Sequence, residues 1–205
     1  MSKPAEEGKI WEWRAFGRIS DELAAKVRAY PIRFREVQGD DIYLISPFND
    51  QNVKLRRSSE ACVLKLKLLL NARDRPYELY RETADLSYPF PVEFSSLQSA
   101  ADLLEVTLPE TRDPDERLAE SQFVRLLTES DPPAVETLVS KKRSQYQFGQ
   151  GWLELADIRF AKLETQSISI HSRELQVVKD MVSGLGPYEG LEAMNYIKAC
   201  RRWGT

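Results

Sequence analysis

Several short runs of this chain set charged side chains at i and i+2: Glu12/Arg14, Lys54/Arg56, Lys65/Lys67 and Lys141/Arg143, with Glu78, Tyr80 and Glu82 continuing the pattern. Successive side chains of a strand alternate between its faces, so each pair points one way. Two arrangements satisfy that parity. In a half-exposed sheet the charges are the solvated face. If the sheet instead curls shut with its apolar faces outward against helices, the charges line an interior. There, Arg and Lys beside a few carboxylates suit a polyphosphate with a divalent cation.

Other chemistries are poorly served. His171 is the single histidine, which excludes sites needing several imidazoles and makes any Ser-His-Asp or Cys-His mechanism depend on it alone. Its place at a strand end before a helix cap reads as a surface position. Cys62 and Cys200 cannot build a disulfide framework or a four-cysteine zinc site, and they read as small apolar residues in a reducing compartment. Gly149/Gly151 and Gly184/Gly186 lack the third glycine of a dinucleotide loop, and no GK[ST] follows a glycine-rich stretch. The 29 basic and 32 acidic residues leave a formal charge of -3, which argues against a surface committed to DNA or anionic lipid. Met1 to Gly8 is polar, and the apolar run Cys62 to Leu70 is too short to cross a bilayer as a helix, so a soluble, cytoplasmic protein is expected.

The elements that must position these charges follow from periodicity. With 205 residues, 42% of them hydrophobic, the chain can close one substantial core, and we expect a single domain over 1–205. Strands are predicted at Ile10 to Gly17, Ile42 to Ser46, Val53 to Arg57, Cys62 to Leu70 and Tyr77 to Glu82. A meander follows at Val135 to Phe148, Trp152 to Phe160 and Thr165 to His171. Helices are predicted after Ser20, from Ser95 through Leu104, over Asp115 to Glu129, after Ser172, and from about Leu191 to Trp203. Trp11 and Trp13 lie opposite Glu12 and should pack beneath helices. Tyr196 reads as a core anchor.

The strand WEWR, the hairpin ending in VKLR, the strand LKLK, the KKR…GWLELADIRF…TQSISI meander and the closing helices with MNY together resemble the CYTH superfamily, the triphosphate tunnel metalloenzymes. The resemblance covers most of the chain. It implies an α+β fold, an eight-stranded antiparallel tunnel-like barrel with helices packed outside, binding triphosphates through basic side chains and, in active members, Mg²⁺ or Mn²⁺ through glutamates. The family's opening ExExK motif falls on Ile10 to Arg14, so Glu12 matches its second acid, Arg14 its lysine, and Ile10 replaces its first acid. Position by position, the phosphate ligands implied are Arg14, Lys54, Arg56, Lys65, Lys67, Lys141 and Arg143, and the metal ligands Glu12 and Glu154.

Where members carry glutamates near SISI, this chain has Ser167, Ser169 and His171. A hard divalent cation needs several oxygen ligands, and hydroxyls replace carboxylates poorly, whereas the basic set for anion binding is intact. The expected function is therefore binding of a triphosphate or polyphosphate in a basic tunnel, with metal-dependent hydrolysis or without turnover. The alternatives are a non-catalytic module that senses nucleotide or polyphosphate, and a protein-interaction scaffold whose tunnel charges are mutually paired.

Overall fold

A computed structural model describes residues 8–58, 61–71, 76–83, 86–109 and 112–204. The strands are β1 (Lys9–Gly17), β2 (Ile32–Ile45), β3 (Asn52–Arg57), β4 (Cys62–Asn71), β5 (Tyr77–Arg81), β6 (Ser87–Pro89), β7 (Val92–Glu93), β8 (Arg117–Leu118), β9 (Val135–Phe148), β10 (Gly151–Arg159), β11 (Glu164–Ser172) and β12 (Leu191–Ala193). The helices are α1 (Asp21–Arg28), α2 (Phe94–Leu104), α3 (Glu120–Thr128), α4 (Leu175–Leu185) and α5 (Tyr196–Trp203).

Eight strands close a ring in the order β1, β5, β4, β3, β2, β9, β10, β11 and back to β1, every neighbour antiparallel. Closure is made by β1 against β11, where Glu12 faces His171, Arg14 faces Ser169 and Phe16 faces Ser167. A closed ring leaves its members without open edges, and alternation then assigns every second residue to the inside.

The outward residues form two cores. Trp13, Ala15, Leu153, Ile168 and Ile170 pack with Leu23 and Val27 of α1 and Val178 and Leu185 of α4, and Trp11 joins them. Ile42, Leu44, Val53, Leu55, Leu64 and Leu66 pack on the other flank with Leu97, Ala101 and Leu104 of α2 and Phe123, Leu126 and Leu127 of α3. Trp11 and Trp13 thus lie outside the barrel wall, as their parity requires. A third cluster is different, because it joins inward residues: Phe16, Tyr43, Ile45, Val139, Ala156 and Ile158 meet Tyr196, Ile197, Ala199 and Cys200 of α5. It plugs one end of the barrel.

Five predicted boundaries are corrected, the first at β2, which begins at Ile32 rather than Ile42. Asp115 to Glu129 is not one helix: Arg117–Leu118 pairs with Val92–Glu93 as a short ladder, and α3 starts only at Glu120, where Gln122 reaches back to the Ala119 N–H. Ser95 lies inside α2 rather than capping it. Ser172 ends β11, and its hydroxyl accepts the Glu174 N–H just before α4. Leu191–Ala193 is a strand beside β1, and the last helix begins after Asn195, whose side chain caps the Lys198 N–H. His171 is also not at the surface, for it is 6% exposed and faces the tunnel.

Candidate functional site

The inward positions from the middle of the strands to the end opposite the plug enclose a cavity of about 130 Å³. Its walls carry Glu12 and Arg14 from β1, Lys54 and Arg56 from β3, Lys67 from β4, Lys141, Arg143 and Gln145 from β9, Glu154 and Trp152 from β10, and His171 from β11. Of the predicted phosphate ligands, six are therefore brought together, along with both predicted metal ligands. Lys65 shares their parity but is half-buried and stands off the cavity wall.

The cations outnumber the carboxylates, so the acids are shared. Asp41 accepts from Lys141 at 2.7 Å and from Arg56 at 3.1 Å, with Lys54 at 3.4 Å. Glu12 accepts from Arg14 at 2.8 Å and from Lys67. Glu154 holds Gln145 at 2.9 Å, with Arg14 at 3.5 Å and Arg143 at 3.7 Å. Removing charges from water penalises them severely unless partners compensate. Burial pushes the Glu154 carboxyl up, but Arg14 and Arg143 outweigh it and hold the group down at about 2. Glu12 and Asp41 likewise stay well below the usual carboxylate range despite burial, through Lys67 and Arg14 in one case and Lys141 and Lys54 in the other.

The lysines near Asp41 show what the shortage of acids does. Burial pulls Lys141 down to about 8, against the opposing pull of Asp41, and it depresses Lys54 as well. Lys67 keeps its charge more firmly, because Glu12 and Glu82 outweigh its burial. Two aromatic rings share the load: Lys141 Nζ lies 3.7 Å from the centre of the Tyr196 ring and Arg14 Cζ lies 4.5 Å from it, while Tyr43 stacks beside Tyr196 at 5.5 Å and its hydroxyl oxygen accepts from Lys141 Nζ at 2.7 Å. Tyr196 therefore does more than anchor a core.

Asn52 Oδ1, buried in the cavity wall, has no hydrogen-bond partner among the described residues, so water or a ligand is expected to meet it.

Glu12 and Glu154 do not fit a divalent-cation site. The Arg14 guanidinium bonds Glu12 and contacts Glu154, and Lys67 takes the second oxygen of Glu12, so both acids already neutralise fixed protein cations. Among the described residues no group of three or more His, Cys, Asp or Glu side chains converges. Nor does His171 complete a nucleophile relay. Its Nε2 is 2.8 Å from Ser169 Oγ and its Nδ1 is 3.6 Å from Glu12, but Ser169 is fully buried, and burial holds the imidazole down near 4.

Asp41, Asn52, Gln145, Trp152 and His171 are wall or wall-supporting residues that the charge pattern did not single out. A parity count from Tyr43 and Lys54 finds Asp41 and Asn52. One from Arg143 finds Gln145, and one from Glu154 finds Trp152.

No family model matches the sequence, and no curated protein matches it. Solved structures do. A Bacillus halodurans protein described as a candidate adenylate cyclase superposes with a TM-score of 0.54 at 14% identity, over 94% of this chain and 98% of that one. PH1819 of Pyrococcus horikoshii superposes with a TM-score of 0.51 at 16% identity, over 93% and 98%. These likenesses show the fold, a closed eight-stranded antiparallel barrel with helices packed outside, which is the architecture that the sequence resemblance implies.

Proposed function

We propose that the barrel binds the triphosphate portion of an anionic ligand, entering from the end opposite α5, and that its own cations hold the phosphates without a divalent metal. The observation that carries this reading is the excess of charge in the dead-end cavity: six Arg and Lys side chains line it, and three of them share the single carboxylate of Asp41. A phosphate chain supplies the missing negative charge and accepts hydrogen bonds from ammonium and guanidinium groups already aimed inward. Arg14, Arg56 and Arg143 would engage oxygens bidentately, and Lys54, Lys67 and Lys141 as point charges.

The scaffold reading is favoured less. Burying cations in excess of their partners weakens a fold, and a protein that used the barrel only to display helices would gain by replacing them with apolar residues. Titration calorimetry of inorganic tripolyphosphate at low salt, with and without EDTA, tests the proposal. Binding unaffected by the chelator supports it. Affinity that appears only with Mg²⁺ or Mn²⁺, together with release of inorganic phosphate, would instead establish a metal-dependent hydrolase.

A further inference from the structure

We propose that Trp152 is a stacking platform at the tunnel mouth, and that the ligand whose phosphates enter the tunnel carries a planar ring there. The ligand is then an organic triphosphate rather than an inorganic polyphosphate. This rests on the tunnel reading above.

Trp152 follows Gly151 at the start of β10, far along the strand from Ile158 in the plug, and it lines the open part of the cavity. Its surroundings differ on its two sides. From β11, His171 stacks on the indole with ring centres 4.7 Å apart and planes 8° apart, which fixes the plane of the platform. From the β9 and β2 side, Arg33 covers it, the guanidinium carbon 5.0 Å from the ring centre. Arg33 is exposed and belongs to the irregular stretch of β2, where the ladder with β9 shifts register between Ile32 and Phe34 and again between Phe34 and Val37. Glu36 within it adopts φ 39°, an uncommon conformation for a residue with a side chain. Bulged strands re-aim side chains and are held by fewer ladder bonds, so this cover can be displaced.

A planar ring inserted there would have the locked indole on one face and a guanidinium on the other, and both stack well on π systems. The next inward residue of the same strand is Glu154, held by Gln145 at 2.9 Å and flanked by Arg14 and Arg143. Phosphates attached to the ring would thus begin where the cations begin. A bare polyphosphate would leave the indole face unused.

The test compares ATP with inorganic tripolyphosphate by titration calorimetry at fixed ionic strength without divalent metal, on the full chain and on Trp152→Leu and Trp152→Phe. Stacking of one base on an aromatic side chain is worth a factor of about ten or more in affinity. The expected result is that the unaltered protein prefers ATP, that Trp152→Leu loses about ten-fold for ATP with tripolyphosphate changed less than about two-fold, and that Trp152→Phe retains the preference. Binding of tripolyphosphate at least as tight as ATP overturns the platform and leaves the tunnel reading standing. So does an equal loss for both ligands in Trp152→Leu. Failure of both ligands to bind overturns both proposals.

Discussion

Arg14 donates from Nε to Glu12 Oε1 at 2.8 Å, from two residues further along the same strand, inside the barrel. An acid so placed neutralises the cation that would otherwise bind phosphate, so its removal has a definite sign. Glu12→Gln is expected to tighten tripolyphosphate binding several-fold, because Arg14 and Lys67 lose a competing anion. It should also destabilise the fold by about 3–5 kcal/mol, the usual consequence of breaking a buried pair on one side. Calorimetry and urea denaturation read the two effects separately. Weaker binding in Glu12→Gln would return Glu12 to the role of metal ligand.

Lys141 gives the tunnel a pH dependence. Its folded pKa of about 8 is far below that of a free lysine, chiefly through burial, so the ammonium is charged at pH 7 and loses its proton as pH rises through 8. Asp41, Tyr43 and the Tyr196 ring face it, with Arg56 and Arg14 repelling it. A bound anion favours the charged form, so binding above pH 8 draws in a proton. Affinity for tripolyphosphate should fall between pH 8 and 9.5 by up to about ten-fold per unit from this group. In Lys141→Met it should be weaker at pH 7 and should lack that step. Parallel pH curves for the two proteins would contradict this origin.

What was legible in the sequence follows from strand regularity. β1, β3, β9 and β10 alternate without interruption through the site, so parity alone puts Arg14, Lys54, Lys141 and Glu154 on one face. β2 defeats that reading. Its first half, IRFREVQGDD, bears charges at both parities, and two register shifts break the period, so Asp41 fell outside the predicted strand although it holds three cations. His171 defeats the sequence pattern for another reason. A strand end in an open sheet is exposed, but in a ring β1 covers it, and only the pairing of Glu12 with His171 reveals the closure. Leu191–Ala193 reads as helix locally because the ladder partner that makes it a strand lies in β1, far away in sequence.

Depth in the tunnel separates two lysines of one strand. Lys67 lines the cavity and is bonded to Glu12, whereas Lys65 is half-buried, off the wall, and kept low by burial and by Arg56. Lys67→Met should weaken tripolyphosphate binding by about ten-fold or more, mainly through faster dissociation. Lys65→Met should lower the association rate and the salt dependence with a smaller change in affinity, as rim charges do. Stopped-flow binding at two ionic strengths distinguishes them. Equal effects on dissociation would mean that both ammonium groups contact the ligand.

The plug depends on Asn195, which caps α5 through the Lys198 N–H at 2.9 Å and donates to Glu78 Oε1 at 2.8 Å. Burial raises the Glu78 carboxyl, while Tyr80 and Asn195 stabilise its charge. Asn195→Asp keeps a good cap but replaces the amide donor with a second carboxylate. At pH 7 the new carboxylate faces Glu78 and also Asp50, whose Oδ2 lies 3.4 Å from the Asn195 amide, and the protein should be less stable than its parent. The folded-state pKa of the pair rises above the unfolded value, so the folded state binds more protons and part of the lost stability returns as pH falls from 7 to 5. Asn195→Ala loses the cap, about 1 kcal/mol, and the hydrogen bond to Glu78, but adds no charge, so its deficit should change less over that range. Urea denaturation of both variants and the parent at pH 7 and pH 5 measures the difference. A deficit in Asn195→Asp that stays constant or grows toward pH 5 would mean that the new carboxylate is not held against Glu78 and Asp50.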